Sequence, residues 1–290
     1  MSSEKIVDVI IPTYNRAKVL EERLPTYWSQ PETRKIFIID SGINTETEEM
    51  INRVKNTSPV EIFYHRFPDH EVQQTCKNFG VSQSSAQYIF IGEDDLELPP
   101  NHFSILLGKL IEYDVDMFAG RRIYIRDGQS QKDALDDAPK DGKIFRNIPF
   151  EAYFEEFFVG DIVVPYLHSN ILAKRDVFTD NKYDSRYKGN AFREELDFYL
   201  SCIRNGRKMM VTSSTACFHL KSPRKMGSGS QIARLKYEIY VWVNTIKCFW
   251  KNGDVFKNKF NFRVPMFYAF LGLFARYSNG LWRRLRKKHS

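Results

Sequence analysis

Three acidic residues in a row, Glu93, Asp94 and Asp95, follow the apolar run Gln87 to Gly92 in QYIFIGEDDLELPP. Carboxylates crowded at the end of a buried strand repel one another. A divalent cation relieves that repulsion, and hard oxygen donors suit Mg²⁺ or Mn²⁺. A solvated acidic turn is the plainer alternative, because such triplets are common. A second acidic group, Glu194, Glu195 and Asp197, lies in FREELDFYLSCIRNGRK. On a helix, Leu196, Tyr199, Leu200 and Ile203 share one face, Glu194 and Asp197 point away, and Glu195 sits at the flank. Acids in a first helical turn also complement the helix dipole without doing any chemistry. His219, in ACFHLKSPRKMGSG, stands alone after a strand, where an imidazole is usually structural. Lys221, Arg224 and Lys225 follow it in a segment ending in small residues. That segment is either a solvated loop or a basic flap able to close over an anionic group.

These groups need elements to hold them. Val7 to Ile11 is a continuous apolar run ended by Pro12, the pattern of a strand covered on both faces. Val19, Leu20, Arg23, Leu24, Tyr27 and Trp28 give a helical stripe, and Lys35 to Asp40 a second strand. Asn44 to Asn56 reads as a surface helix, Glu61 to Tyr64 as a strand and Thr75 to Ser84 as a helix. Gln87 to Gly92 is then a fourth strand. Such alternation predicts an α/β fold, a mostly parallel sheet flanked by helices, whose ligands sit at the carboxyl ends of the strands. Asp127 to Gly142 turns polar and reads as a loop. Beyond it the sequence predicts a strand at Ser169 to Ala173, with His168 and Asn170 at its start as candidate substrate contacts. A helix over Arg193 to Asn205 follows, then short strands around Met209 and Ala216, and only helices past Gly229.

Length and composition narrow the partners. With 42% hydrophobic and 27% charged residues the chain is globular, and 290 residues suffice for one large domain or one domain with an appendage. The net charge of +7 favours an anionic partner. Nucleic acid is not expected, because the basic residues gather near the C-terminus and after His219 rather than along an aromatic-studded sheet. Cys76, Cys202, Cys217 and Cys248 form no CxxC pair and read as buried thiols. The N-terminus shows no secretion signal, and Val264 to Ala275 is too short to span a bilayer, so a cytoplasmic location is expected.

Four motifs carry a resemblance. IIPTYNR follows the first strand, IIDSG the second, and KNFGVSQSSAQYIFIG leads into EDD. Singly each is weak, but in this order they resemble the family 2 glycosyltransferases with the GT-A fold, over roughly Ile6 to His219. Their pattern is P-x-Y-N-[RK], then an Asp pair, then [RK]-N-x-G and a DxD metal motif. The resemblance implies that Pro12, Thr13, Tyr14 and Arg16 line the donor site, with Tyr14 as an aromatic wall of the base and ribose pocket. Asp40 takes the first place of the Asp pair, but Ser41 stands where an acid commonly contacts uracil, which leaves the base open. Gln87 also replaces a usual Gly. Lys77 would approach the donor phosphates or sugar, or else be a surface lysine.

Counting back from Pro100 makes Asp95 the metal ligand and Asp94 the ribose contact; counting from Pro99 shifts the register by one. E-E-L-D-F resembles the E-D-x-D-L motif, whose second acid is the catalytic base. That points to Glu195, with Glu194 and Asp197 as alternates. His219 resembles the further C-terminal metal ligand of several GT-A enzymes.

The expected chemistry is transfer of a sugar from a nucleoside diphosphate sugar to a hydroxyl of a glycan or lipid-linked glycan, with inversion and with Mn²⁺ or Mg²⁺ as cofactor. Residues 1–228 would be the GT-A domain, with a nucleotide-binding half to about 100 and an acceptor half over 101–228. Residues 229–290 would be a helical C-terminal region. Its aromatics, beside Arg283, Arg284, Arg286, Lys287 and Lys288, suit peripheral binding to an anionic membrane surface. Packing on the core or on a second subunit is the alternative, so an oligomer stays open. Two other functions compete. A nucleotidyltransferase would show a Gly-rich loop where PTYNR stands. A degenerate GT-A domain kept for binding or assembly gains some support from Ser41.

Overall fold

The computed structural model describes residues 4–126, 128–140, 142, 144–145, 152–189, 191–220 and 234–274. Its first part alternates as β1 (Val7–Thr13), α1 (Ala17–Trp28), β2 (Thr33–Asp40), α2 (Glu46–Val54), β3 (Glu61–Arg66), α3 (Gln73–Gln83) and β4 (Tyr88–Ile91). Then come β5 (Leu96–Glu97), α4 (His102–Glu112), β6 (Met117–Ile125), α5 (Gln131–Asp136), β7 (Asp161–Val163), β8 (Leu172–Lys174), α6 (Arg175–Asp180), α7 (Glu194–Arg204) and β9 (Met209–Leu220). Two further helices, α8 (Arg234–Lys251) and α9 (Gly253–Phe260), precede a helical stretch at 265–274.

One sheet runs in the order β3-β2-β1-β4-β8-β6-β9-β5, with β7 also paired to β9. β1 lies parallel to both β2 and β4, so the chain switches direction across the sheet at β1. Alternate side chains of a strand point to opposite faces. Val9, Ile11, Ile36 and Ile38 pack with Leu20 and Leu24 of α1, whereas Ile10, Phe37, Ile39 and Ile91 join the cluster that contains α7. Both faces of β1 are therefore covered, which is why it reads as an unbroken apolar run. Gly80 makes the close approach of α3 possible: a Cβ there would stand 2.5 Å from Cγ2 of Ile10.

The structure departs from the sequence expectations in four places. The polar stretch read as a loop holds α5, because the Ser130 hydroxyl accepts from the Asp133 N–H and caps a helix that local polarity conceals. The two short strands expected around Met209 and Ala216 are one strand, β9. Its pairing with β6 skips from Ala119↔Val211 to Arg121↔Ala216, and a Cβ on Gly120 would come within 2.7 Å of the Thr215 carbonyl oxygen. The strand expected at 169–173 is β8, shifted toward its C-terminus, because Ser169 and Asn170 are held by side-chain contacts. Finally, α7 is covered on both sides. Glu194 and Asp197, expected to point away from its apolar face, are both buried.

Asp197 shows what covers the second side. Its carboxylate accepts from Lys251 Nζ at 2.7 Å and Asn252 Nδ2 at 2.8 Å, pinning α7 to the α8–α9 junction. The outer face of this helical region is apolar: Trp250 is 79% exposed, Phe274 72% and Phe267 60%. No described helix is long and apolar enough to cross a membrane. The basic segment at Lys221, Arg224 and Lys225, and the basic tail at 283–288, lie outside the described residues. All four cysteines are buried and free.

Candidate active site

The carboxyl ends of β2, β1 and β4 stand side by side and open into a cavity of ≈ 250 Å³. Pro12, Thr13, Tyr14, Arg16 and Ser41 line it together with Asp94, Asp95 and His219. The chain leaves β1 through Asn15 in the left-handed region at φ 51, where Asn is tolerated. Asn15 Oδ1 accepts from the Ile43 N–H at 2.9 Å, tying the turn after β1 to the turn after β2. Tyr14 meets His70 edge to face at 4.7 Å.

Arg16 then faces the acidic run. Its guanidinium donates to Asp94 Oδ1 at 2.7 Å and to Asp95 Oδ2 at 2.8 Å. The Thr13 hydroxyl donates to the other Asp94 oxygen at 2.8 Å. Burial raises the Asp94 carboxyl above the ordinary range, Arg16 opposes that rise and the neighbouring Asp95 charge adds to it.

His219 comes from far downstream, and a two-residue strand delivers it. β5 begins directly after Asp95 and pairs antiparallel with β9, placing Leu96 opposite His219. His219 Nε2 thereby lies 3.3 Å from Asp95 Oδ1 and 3.1 Å from Glu93 Oε2. Glu93 also accepts from Arg122 Nη2 at 2.8 Å and from the Ser169 hydroxyl at 2.5 Å. Although burial pushes its carboxyl up, Arg122 and His219 hold it well below the usual range. One ligand atom from each of Glu93, Asp95 and His219 falls within 4.8 Å of the others. Two carboxylates and an imidazole form a mixed oxygen and nitrogen set that fits Mn²⁺ or Mg²⁺. The buried His219 Nδ1 has no hydrogen-bond partner among the described residues, so nothing but the acidic cluster engages this ring by hydrogen bonding.

The acids of α7 separate into three roles. Glu194 is buried, and its Oε1 accepts from Lys77 Nζ and Gln73 Nε2, both at 2.8 Å. Burial raises its carboxyl, and Lys77 opposes the rise. Asp197 faces α8, as described above. Glu195 is the most open of the three: its side chain is 38% exposed, and together with the buried Glu194 it lines a second cavity of ≈ 510 Å³ that shares Gln73 with the first. Tyr124, Phe154, Tyr166 and His168 line that cavity as well. Ala191 and Arg193 both adopt positive φ just before α7, and such backbone strain concentrates at functional sites.

Two residues expected at the donor site are thus turned to structural work. Asp40 is fully buried; its Oδ1 accepts from the Gly42 N–H at 2.7 Å and its Oδ2 from the Tyr64 hydroxyl at 2.9 Å. It shapes the turn that presents Ser41. Lys77 is 1% exposed and spends its charge on Glu194 over the Tyr183 ring, because the interior offers it no water. Two contributors were missed. Glu93 is read only as one of three crowded acids and not as a ligand, and Arg122 is unremarked although a charged pair inside the apolar MFAGRRIYI strand is a visible signal. His168 lines the second cavity, but its Nε2–H is committed to the Gly120 carbonyl at 2.9 Å and its Nδ1 accepts from the Asn170 N–H.

The family model of Glycosyl transferase family 2 matches residues 8–180 of this chain. The chain belongs to glycosyltransferase family 2. Among curated relatives, a chondroitin synthase of Escherichia coli is 22% identical over 285 residues, which cover 90% of this chain and 41% of that protein. An uncharacterized glycosyltransferase of Rickettsia bellii (strain RML369-C) is 29% identical over 92 residues, 31% of this chain and 13% of that one. The chain therefore spans less than half the length of the curated relatives it matches. Two solved structures share the family 2 chain's fold. GalNAc-T7 with UDP, GalNAc and Mn²⁺ superposes with a TM-score of 0.58 at 14% identity, covering 85% of this chain and 48% of that one. S. aureus TarS 1-349 in complex with UDP-GlcNAc gives 0.59 at 12%, covering 89% and 76%. The fold of this family 2 chain is thus the GT-A arrangement of a mostly parallel sheet flanked by helices.

Proposed function

We propose that the chain is an inverting glycosyltransferase that moves a sugar from a nucleoside diphosphate sugar to a hydroxyl of a glycan or lipid-linked glycan. The observation that carries this is the pairing of two cavities. One holds the Glu93–Asp95–His219 cluster, the other holds the solvent-reaching carboxylate of Glu195, and Gln73 borders both. Tyr14 and Ser41 would take the nucleobase and ribose, and Asp94 a ribose hydroxyl. Glu93, Asp95 and His219 would hold Mn²⁺ or Mg²⁺, which when bound neutralises charge on the departing diphosphate. Glu195 takes the proton from the attacking hydroxyl, while Lys77 and Gln73 fix Glu194 and with it the first turn of α7. A base facing the acceptor cavity favours attack from the side opposite the leaving group, hence inversion.

Calorimetric titration with a panel of nucleoside diphosphates, with and without Mn²⁺, tests this. Mn²⁺-dependent binding of one of them is expected and would name the base. Failure of all of them with metal present would favour the degenerate binding module instead.

The exposed Trp250, Phe267 and Phe274, followed in sequence by a basic tail, support peripheral attachment to an anionic leaflet. The full chain should sediment with phosphatidylglycerol vesicles and stay in solution with phosphatidylcholine ones. Staying in solution with both lipids would sink the membrane assignment, and equal sedimentation with both would remove its anionic preference.

A further inference from the structure

We infer that Arg16 is a charge brake on the cation site, keeping affinity for the free ion low until a diphosphate arrives with it. This rests on the proposed function, in which cation and diphosphate share one cavity. Arg16 is only 11% exposed at its side chain and spans two adjacent carboxylates, at 2.7 Å from Asp94 and 2.8 Å from Asp95. Arg122 faces the third carboxylate, Glu93, at 2.8 Å. Among the described residues three acids thus face two guanidinium groups, and the cluster carries at most about one unit of negative charge. A divalent ion entering alone would leave the buried cluster positive. A diphosphate entering with it would restore the balance, and Arg16 lines the cavity that those phosphates would enter.

The geometry also shows that Arg16 need not leave. It engages Oδ2 of Asp95, whereas Oδ1 is the oxygen turned toward His219 at 3.3 Å. Arg16 would therefore leave Asp95 one oxygen for a cation and would lower the field that the ion meets. A residue that merely positioned Asp95 would strengthen ion binding; a charge brake weakens it. The two roles predict opposite signs for the same substitution.

The test is Mn²⁺ titration, followed by calorimetry and by the free-ion electron paramagnetic resonance signal, on wild type, Arg16→Gln and Arg16→Lys. The titration is run alone and again with inorganic pyrophosphate. Arg16→Gln is expected to bind Mn²⁺ alone roughly tenfold more tightly than wild type. Arg16→Lys, which keeps the charge and loses the fork, should stay near wild type. Arg16→Met replaces the glutamine variant if thermal unfolding shows the latter to be unfolded. Unchanged or weaker Mn²⁺ binding in the neutral variant overturns the inference, as does a lysine variant that shifts as far as the glutamine one. If neither protein takes up Mn²⁺ even with pyrophosphate, the metal site itself is refuted and the inference falls with it.

Discussion

Glu195→Gln should bind nucleoside diphosphate as wild type does and yet transfer sugar roughly 10²–10⁴-fold more slowly. The separation follows from place. Glu195 lines the second cavity and is absent from the wall of the first, so its charge contributes to proton removal rather than to donor contact. Glutamine keeps the size and the helix position, and it keeps a carbonyl oxygen for any hydrogen bond. What it cannot do is accept a proton at neutral pH. Transfer assays with a matched donor, paired with nucleotide titration on the same preparation, read both quantities. Normal turnover in the variant would remove Glu195 from the reaction and point to Glu194, which lines the same cavity and whose Oε2 has no hydrogen-bond partner among the described residues. Glu194 gives only its Oε1 to Lys77 and Gln73, whereas Asp197 is locked through both oxygens to Lys251 and Asn252.

Asp95→Ala should cost the largest share of cation-dependent nucleotide affinity, roughly 10²-fold or more, since a metal contributes several kcal/mol to holding such charge. Two losses combine. The Oδ1 that faces His219 disappears, and Arg16 loses one of the two carboxylates it bridges. The variant should still fold, because the β5–β9 pairing uses backbone groups, including the Leu220 N–H to the Asp95 carbonyl at 2.9 Å. Nucleotide titration with and without Mn²⁺ checks this. If Mn²⁺ enhanced binding equally in variant and wild type, Asp95 would not be a ligand.

The part of the sheet from β1 to β4 was legible because its signals are local. A strand covered on both faces writes itself as an apolar run, and β1, β2 and β4 all did so. The acidic run and His219 were visible as types, and their convergence followed from the resemblance. What a linear reading could not show was which side chains the fold would turn inward. Asp40, Lys77 and Asp197 carry the right chemistry, but each is buried against a partner distant in the chain. Asp197 lies two residues beyond Glu195, about 200° around the helix, so once one faces the acceptor the other faces away. Whether that far side meets water or α8 is a tertiary fact. β6 was obscured for the opposite reason: its Gly and Arg pair weaken an apolar pattern, and those same residues serve Thr215, Glu93 and the second cavity.

The two-residue strand β5 has a consequence for how the molecule is made. A chain emerging from the ribosome displays Glu93 and Asp95 early, together with Arg16 and the turn after β1. Their imidazole partner is synthesised much later, on the last strand of the sheet. Until β9 is complete and docks, the nascent protein holds acids already shielded by arginine and lacks its third donor. If Glu93, Asp95 and His219 hold a cation as proposed, the order of synthesis itself keeps an unfinished site from loading.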